Sequence, residues 1–118
     1  MNDNFLLYKN LKNLSFEVLT YVENIPRKLD YIKSGLQKSL TDAIKLVRYY
    51  VVNMNDATRI KSKYIKDLIV ELSMIDFYLD YLNNYHLLGK NRMQHFAEEL
   101  NTIKKLAYGV LSSEKKQD

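Results

Sequence analysis

The sequence predicts an all-α protein, an antiparallel up-down-up-down four-helix bundle. Three observations carry this reading. Apolar residues recur at alternating steps of three and four in four stretches of about 20 to 30 residues, the spacing that lines one face of a helix. One proline and three glycines in 118 residues leave little to break a long helix. The breaks between stretches are short, so each helix turns back antiparallel to the one before. No β-type alternation competes.

The first stretch runs from about Asp3 to Asn24. Leu7, Leu11, Leu14, Val18, Tyr21 and Ile25 form its stripe, and Lys9, Lys12, Asn13, Glu17 and Glu23 its polar face. Asp3 is a suitable N-cap. Pro26 ends the helix because it disfavours helical geometry in Ile25, and it can open the next helix as a first-turn residue.

The second stretch runs from Arg27 or Leu29 to Val52. Leu29, Ile32, Leu36, Leu40, Ala43, Val47 and Val51 form a face that Ile44 and Tyr50 widen. Gly35 inside it costs roughly 1 kcal/mol relative to alanine, and its expected role is close helix contact rather than a hinge.

Asn53, Asn55 and Asp56 form the next break, and any of them can cap a third helix from Ala57 to His86. Its stripe is Ile60, Tyr64, Leu68, Leu72, Ile75, Leu79 and Leu82. Ile65, Ile69, Phe77, Tyr78 and Tyr81 add more apolar surface than one bundle core consumes, which predicts a contact between subunits. His86 is expected to cap this helix.

Gly89 marks the last turn. The fourth stretch, Lys90 to Leu111, carries Met93, Phe96, Leu100, Ile103, Ala107 and Val110. The bundle domain is thus residues 1–112. Residues 113–118 are polar and charged and are expected to be a disordered, frayed tail.

Composition narrows the chemistry. There is no cysteine, which excludes disulfides, thiolate zinc sites and cysteine nucleophiles. The first eight residues lack the basic region and apolar length of a signal peptide, and no stretch is long and apolar enough to cross a membrane. The expected location is the cytoplasm, with no membrane partner.

Di-metal bundles need Glu-x-x-His pairs. This chain has only the reverse order, His95 with Glu98, whose expected state is a solvated polar pair. No metal and no cofactor are expected. A glycine-rich phosphate loop is absent, and no Ser/His/Asp arrangement is suggested by spacing. One class of helical ribonuclease places histidine four to six residues after arginine, whereas Arg92 precedes His95 by only three. The chain is expected not to be an enzyme.

The basic residues say more. Net charge is +4 and the isoelectric point about 9.2. Between Pro26 and Val51, Arg27, Lys28, Lys33, Lys38, Lys45 and Arg48 face only Asp30 and Asp42. The third helix opens with Arg59, Lys61, Lys63 and Lys66 before Asp67, Glu71, Asp76 and Asp80 reverse the sign. The end of the second helix meets the start of the third, which predicts a positive pole able to bind phosphate backbones without base readout. The candidate nucleic-acid-binding residues are Arg27, Lys28, Lys38, Lys45, Arg48, Arg59, Lys61, Lys63 and Lys66. Tyr49, Tyr50 and Tyr64 lie near that turn, placed to stack on bases or, as the preferred reading, to fill an interface.

Four segments carry a resemblance. The first helix closes in Ile25-Pro26-Arg27-Lys28. Tyr31-Ile32 and Leu36 then open the second. An aliphatic-rich run from Leu72 to Leu82 precedes the turn Leu87-Leu88-Gly89. The fourth helix ends in Ile103-Lys104-Lys105-Leu106-Ala107-Tyr108-Gly109-Val110-Leu111-Ser112. In these features, over residues 5–112, the sequence resembles the four-helix-bundle family of the accessory variability determinant of diversity-generating retroelements. That family includes proteins encoded in intervening sequences of ribosomal RNA genes. The ribosomal branch usually carries an Asn-Ile-Ala-Glu-Gly type segment after helix two. Here that place reads Val51-Val52-Asn53-Met54-Asn55, which favours the retroelement side.

The resemblance implies a barrel-shaped homopentamer that binds a reverse transcriptase and RNA or DNA through a basic surface. It implies no catalytic residue. The resulting expectation is a non-enzymatic oligomeric accessory protein. The alternative is a structural or adaptor bundle that binds only protein.

Overall fold

The computed structural model describes residues 3–116, with side chains from Phe5 onward. The proposed capping side chain of Asp3 and the last two residues lie outside what is described. Four helices follow in order: α1 (Asp3–Val22), α2 (Asp30–Val52), α3 (Thr58–Asn84) and α4 (Lys90–Lys116), with a 3-10 turn at Arg27–Leu29 before α2. Each helix packs on its two neighbours around the bundle, α1 on α2 and α4, and α3 on α2 and α4. Among the described residues no diagonal pair brings its backbones close together, although the Tyr50 side chain on α2 reaches Glu114 on α4 across the bundle. The all-α, up-down-up-down four-helix bundle is therefore the fold. It measures 47 × 24 × 19 Å, the long dimension matching a helix of 27 residues with its turns. Among the described residues no helix is long and apolar enough to cross a membrane.

The core follows the recurrence of the apolar positions. Leu7, Leu11, Leu14 and Val18 meet Leu36, Leu40 and Ala43, Leu68, Leu72 and Ile75, and Phe96, Leu100 and Ile103 in one buried cluster. At the helix ends the buried face turns by one residue. Val22 takes the place expected for Tyr21, Tyr50 that of Val51, and Lys61 and Ile65 those of Ile60 and Tyr64. A stripe spaced at 3.5 residues drifts around a helix of 3.6, and the drift accumulates toward the ends.

The turns explain themselves locally. After Val22 the Asn24 and Ile25 amides bond back to the Tyr21 and Val22 carbonyls at 3.3 and 3.2 Å, a tightened last turn. Pro26 stands before the 3-10 turn in extended geometry, φ −57° and ψ 144°, so it ends α1 without being the first residue of α2.

The expected side-chain cap of α3 is corrected. Ala57 holds the capping position, φ −57° and ψ 145°, and has no side-chain acceptor. Asn53 instead turns its amide onto the Tyr49 carbonyl at 2.7 Å, closing α2.

The cap at the other end of α3 is made by backbone, not by imidazole. His86 has φ 59°. Its amide bonds to the Asn83 carbonyl at 2.9 Å and the Leu87 amide to the Leu82 carbonyl at 3.1 Å. This is the paired 5→2 and 6→1 pattern usually built on glycine.

Gly35 does allow close contact. A Cβ placed on it would lie 2.5 Å from Cζ and Oη of Tyr78, whose ring crosses α2 there.

The frayed tail is corrected as well. α4 continues through Lys116, and Glu114 is only 3 % exposed. Val110 and Glu114 are four residues apart on one face, so the face that buries Val110 carries on into the supposed tail.

Candidate nucleic-acid interface

The topology gathers the last turns of α2, the first of α3 and the last of α4 at one end of the bundle. Lys45, Arg48, Arg59, Lys61, Lys63 and Lys66 belong to this end. The only acidic residue between Lys45 and Lys66 is Asp56. Lys115 and Lys116 join them because α4 stays helical to its end. These two cations were legible only as part of a tail. The signal for them was Glu114, a charged residue in step with the apolar stripe.

The nine expected residues do not form one surface. Arg27 and Lys28 lie in the 3-10 turn before α2, whose 23 residues separate them from the basic end by about 33 Å. Lys38 sits midway and pairs with Asp42 at 2.7 Å. Lys63 pairs with Asp67 at 3.1 Å. Both ammonium groups offset acidic neighbours along a shallow groove of about 370 Å³ between α2 and α3. Asp42, Lys45, Leu46, Tyr49, Asp67, Val70 and Glu71 line that groove. Three carboxylates there disfavour a phosphate chain, so the attraction lies at the end of the bundle, not along the groove.

Lys61 is withdrawn from the interface. It is 7 % exposed, with Nζ 3.2 Å from Oε2 of Glu114 and donating to the Met54 carbonyl at 3.1 Å. A buried cation with two partners is held by the fold and cannot meet a ligand. Tyr50 is withdrawn too. Its hydroxyl donates to Oε1 of Glu114 at 2.5 Å, and the side chain is 3 % exposed. Burial first, and then the adjacent carboxylate, push its phenol well above the ordinary value.

What remains at the basic end is Lys45, Arg48, Arg59, Lys66, Lys115 and Lys116. None has an ion-pair partner among the described residues. Tyr49 and Tyr64 stand beside them as a stacked pair, ring centroids 5.6 Å apart and planes 25° apart. The Arg48 guanidinium lies 5.5 Å from the Tyr8 ring centre, a cation–π contact that holds it against α1.

A second group of polar residues occupies the seam of α1 and α4. The expected partner of His95, Glu98, is instead held by the Gln94 amide at 3.0 Å. His95 Nε2 lies 2.6 Å from Oε2 of Glu17 and also pairs with Glu99 one turn along. The bond to Glu17 holds the imidazole above its ordinary value; desolvation opposes it, and the charges of Glu99, Glu17 and Glu98 add to the rise. Burial and the charge of Glu17 raise the Glu99 carboxyl.

The expected surplus on α3 is corrected: Ile65 is in the core, and Ile69, Tyr78 and Tyr81 pack partly against it, so only Phe77 of the five is exposed, while other apolar residues stand outside. Phe16, Val70 and Phe77 are 61 %, 63 % and 53 % exposed. Phe77 starts an aromatic ladder on α3. Tyr81 and Tyr85 stack at 5.2 Å, and the Tyr31 and Tyr81 hydroxyls share a 2.7 Å hydrogen bond across to α2.

No family model matches this chain, and no curated protein or solved structure matches it either.

Proposed function

We propose that this chain is a non-catalytic, cytoplasmic accessory protein. It works as a homo-oligomer, a pentamer in the arrangement its resemblance implies. It binds nucleic acid through the basic end of its bundle in the service of a reverse transcriptase of the diversity-generating retroelement type. The observation that carries the reading is the group of six cations with no ion-pair partner among the described residues, beside the Tyr49–Tyr64 stack. Cations bind phosphates by releasing counterions, and stacked rings accept bases of any identity. Copies arranged in a ring would repeat that charge and multiply the field. Exposed Phe16, Val70 and Phe77 supply apolar surface for contacts between copies.

Fluorescence anisotropy with labelled single-stranded RNA tests it. Binding at 50 mM salt should weaken steeply by 200 mM, with a log–log slope of about −4 for six phosphate contacts. Reversing Arg48, Arg59 and Lys66 to glutamate should abolish it. Reversing Arg27 and Lys28 should change it little. A monomer by light scattering together with no binding at low salt would remove the reading.

The same exposed aromatic and aliphatic residues favour a second reading, an adaptor for protein alone. Its mark is capture of a protein partner that survives nuclease treatment and the triple reversal.

A further inference from the structure

We propose that Glu17, His95 and Glu99 form a site for one divalent transition-metal ion of the zinc class at the seam of α1 and α4. Oε2 of Glu17, Nε2 of His95 and Oε1 of Glu99 all lie within 4.8 Å of one another. Two of the three come from one helical face, since His95 and Glu99 are four residues apart. The third comes from the antiparallel neighbour, which packs directly against α4. The bundle therefore sets the three donors in place before any ligand arrives.

Charge points the same way. Two carboxylates converge on one ring nitrogen. A protonated imidazole cancels only one of them, and its single Nε2 proton makes one good hydrogen bond. A dication in the place of that proton, bound to neutral imidazole and both carboxylates, would balance the charge completely.

The donor set selects the class of ion. Zinc binds imidazole nitrogen and carboxylate oxygen at about 2.0 to 2.2 Å, so donors at tetrahedral corners sit roughly 3.4 Å apart. The His95 nitrogen lies closer than that to each carboxylate, so a bound ion would part both pairs slightly. Magnesium and calcium prefer oxygen throughout, whereas imidazole favours zinc and its neighbours in the first transition row. Three protein donors leave a fourth position, and His95 and Glu17 are exposed enough for water to fill it.

Calorimetric titration of the full-length chain, free of any affinity tag, with zinc chloride tests the site. One equivalent per chain should bind, and a large excess of magnesium should not displace it. His95→Ala and Glu17→Gln should each weaken binding by about tenfold or more, while His86→Ala leaves it unchanged. The ¹⁵N signal of His95 Nε2 should shift on zinc addition in step with the heat. All three variants alter exposed side chains, and circular dichroism should show them as helical as the wild type. No saturable binding to the wild type would overturn the site, as would undiminished binding in both ligand variants or loss of binding in His86→Ala. Because the nucleic-acid assay depends on the other end of the bundle, either result can fail without the other.

Discussion

The hydroxyl of Tyr50 on α2 donates to the carboxylate of Glu114 on α4 at 2.5 Å, and the other oxygen of that carboxylate faces the ammonium of Lys61 on α3. Three helices are thereby joined by polar groups inside the basic end. The charges of Lys61 and Glu114 cancel internally. The positive character of this end therefore comes from the six cations outside the knot, and the knot holds the helix ends that display them.

The knot predicts an asymmetric response to mutation. Glu114→Ala strands a buried ammonium and should cost about 3 to 5 kcal/mol, and Lys61→Met should cost a similar amount by stranding the carboxylate. Replacing the group together, Lys61→Met with Glu114→Leu and Tyr50→Phe, should recover most of the loss, because apolar side chains of similar volume leave no unpaired charge. Deleting residues 113–118 should destabilise as much as Glu114→Ala. Urea unfolding checks all four. A deletion within about 0.5 kcal/mol of wild type would show that the end of α4 contributes nothing.

That outcome separates what local spacing encodes from what it does not. The bundle was legible because Leu36, Leu40, Leu72 and Leu100 recur at intervals that serve only to bury them. The end of α1 and the start of α4 were legible because Pro26 and Gly89 mark the turns there. Lys61 was not legible. Among Arg59, Lys63 and Lys66 it reads as one more surface cation, and its partner lies on a different helix. The basic end was visible as charge density in sequence, yet its membership depends on tertiary pairing. Asp42 and Asp67 offset Lys38 and Lys63, Lys61 goes inside, and Lys115 and Lys116 arrive from a segment with no apolar signal of its own. The cluster of Glu17 with His95 and Glu99 depends likewise on the packing of α1 against α4.

Tyr50 also predicts a titration. Its phenol is held above the ordinary value of 10.0 by burial and then by Glu114, so it stays protonated while exposed tyrosines ionise. The raised folded value means that the folded state holds this proton more tightly than the unfolded chain. Its stabilising effect is full below pH 10 and is lost as pH rises through the folded value. Spectrophotometric titration should show one tyrosine ionising late, together with unfolding, and Tyr50→Phe should remove that late phase. A Tyr50→Phe profile identical to wild type apart from amplitude below pH 10 would contradict it.

His86 predicts a gain. A non-glycine residue at φ 59° is strained by roughly 1 to 2 kcal/mol, and glycine removes that strain at some cost in unfolded-chain entropy. His86→Gly should therefore stabilise by about 0.5 to 1 kcal/mol. His86→Ala keeps the strain and should not stabilise, which distinguishes a backbone cap from one made by imidazole. Thermal melts of the two variants decide between them.

Gly35 and Tyr78 predict a reversal of sign. Alanine in mid-helix normally stabilises relative to glycine by roughly 1 kcal/mol. Here its Cβ would lie 2.5 Å from ring carbon and hydroxyl oxygen of Tyr78, closer than any real contact, so the ring must leave its seat on α2. Tyr78 is a stiff ring already set edge-on against Phe77, with centroids 5.5 Å apart, and it cannot yield by bending. Gly35→Ala should therefore destabilise the wild type. In a Tyr78→Ala background the obstruction is gone, and the same change should stabilise by the ordinary helix preference. The coupling between the two sites should be on the order of 1 to 3 kcal/mol in a double-mutant cycle. Equal effects of Gly35→Ala in both backgrounds would mean that the ring does not rest on Gly35.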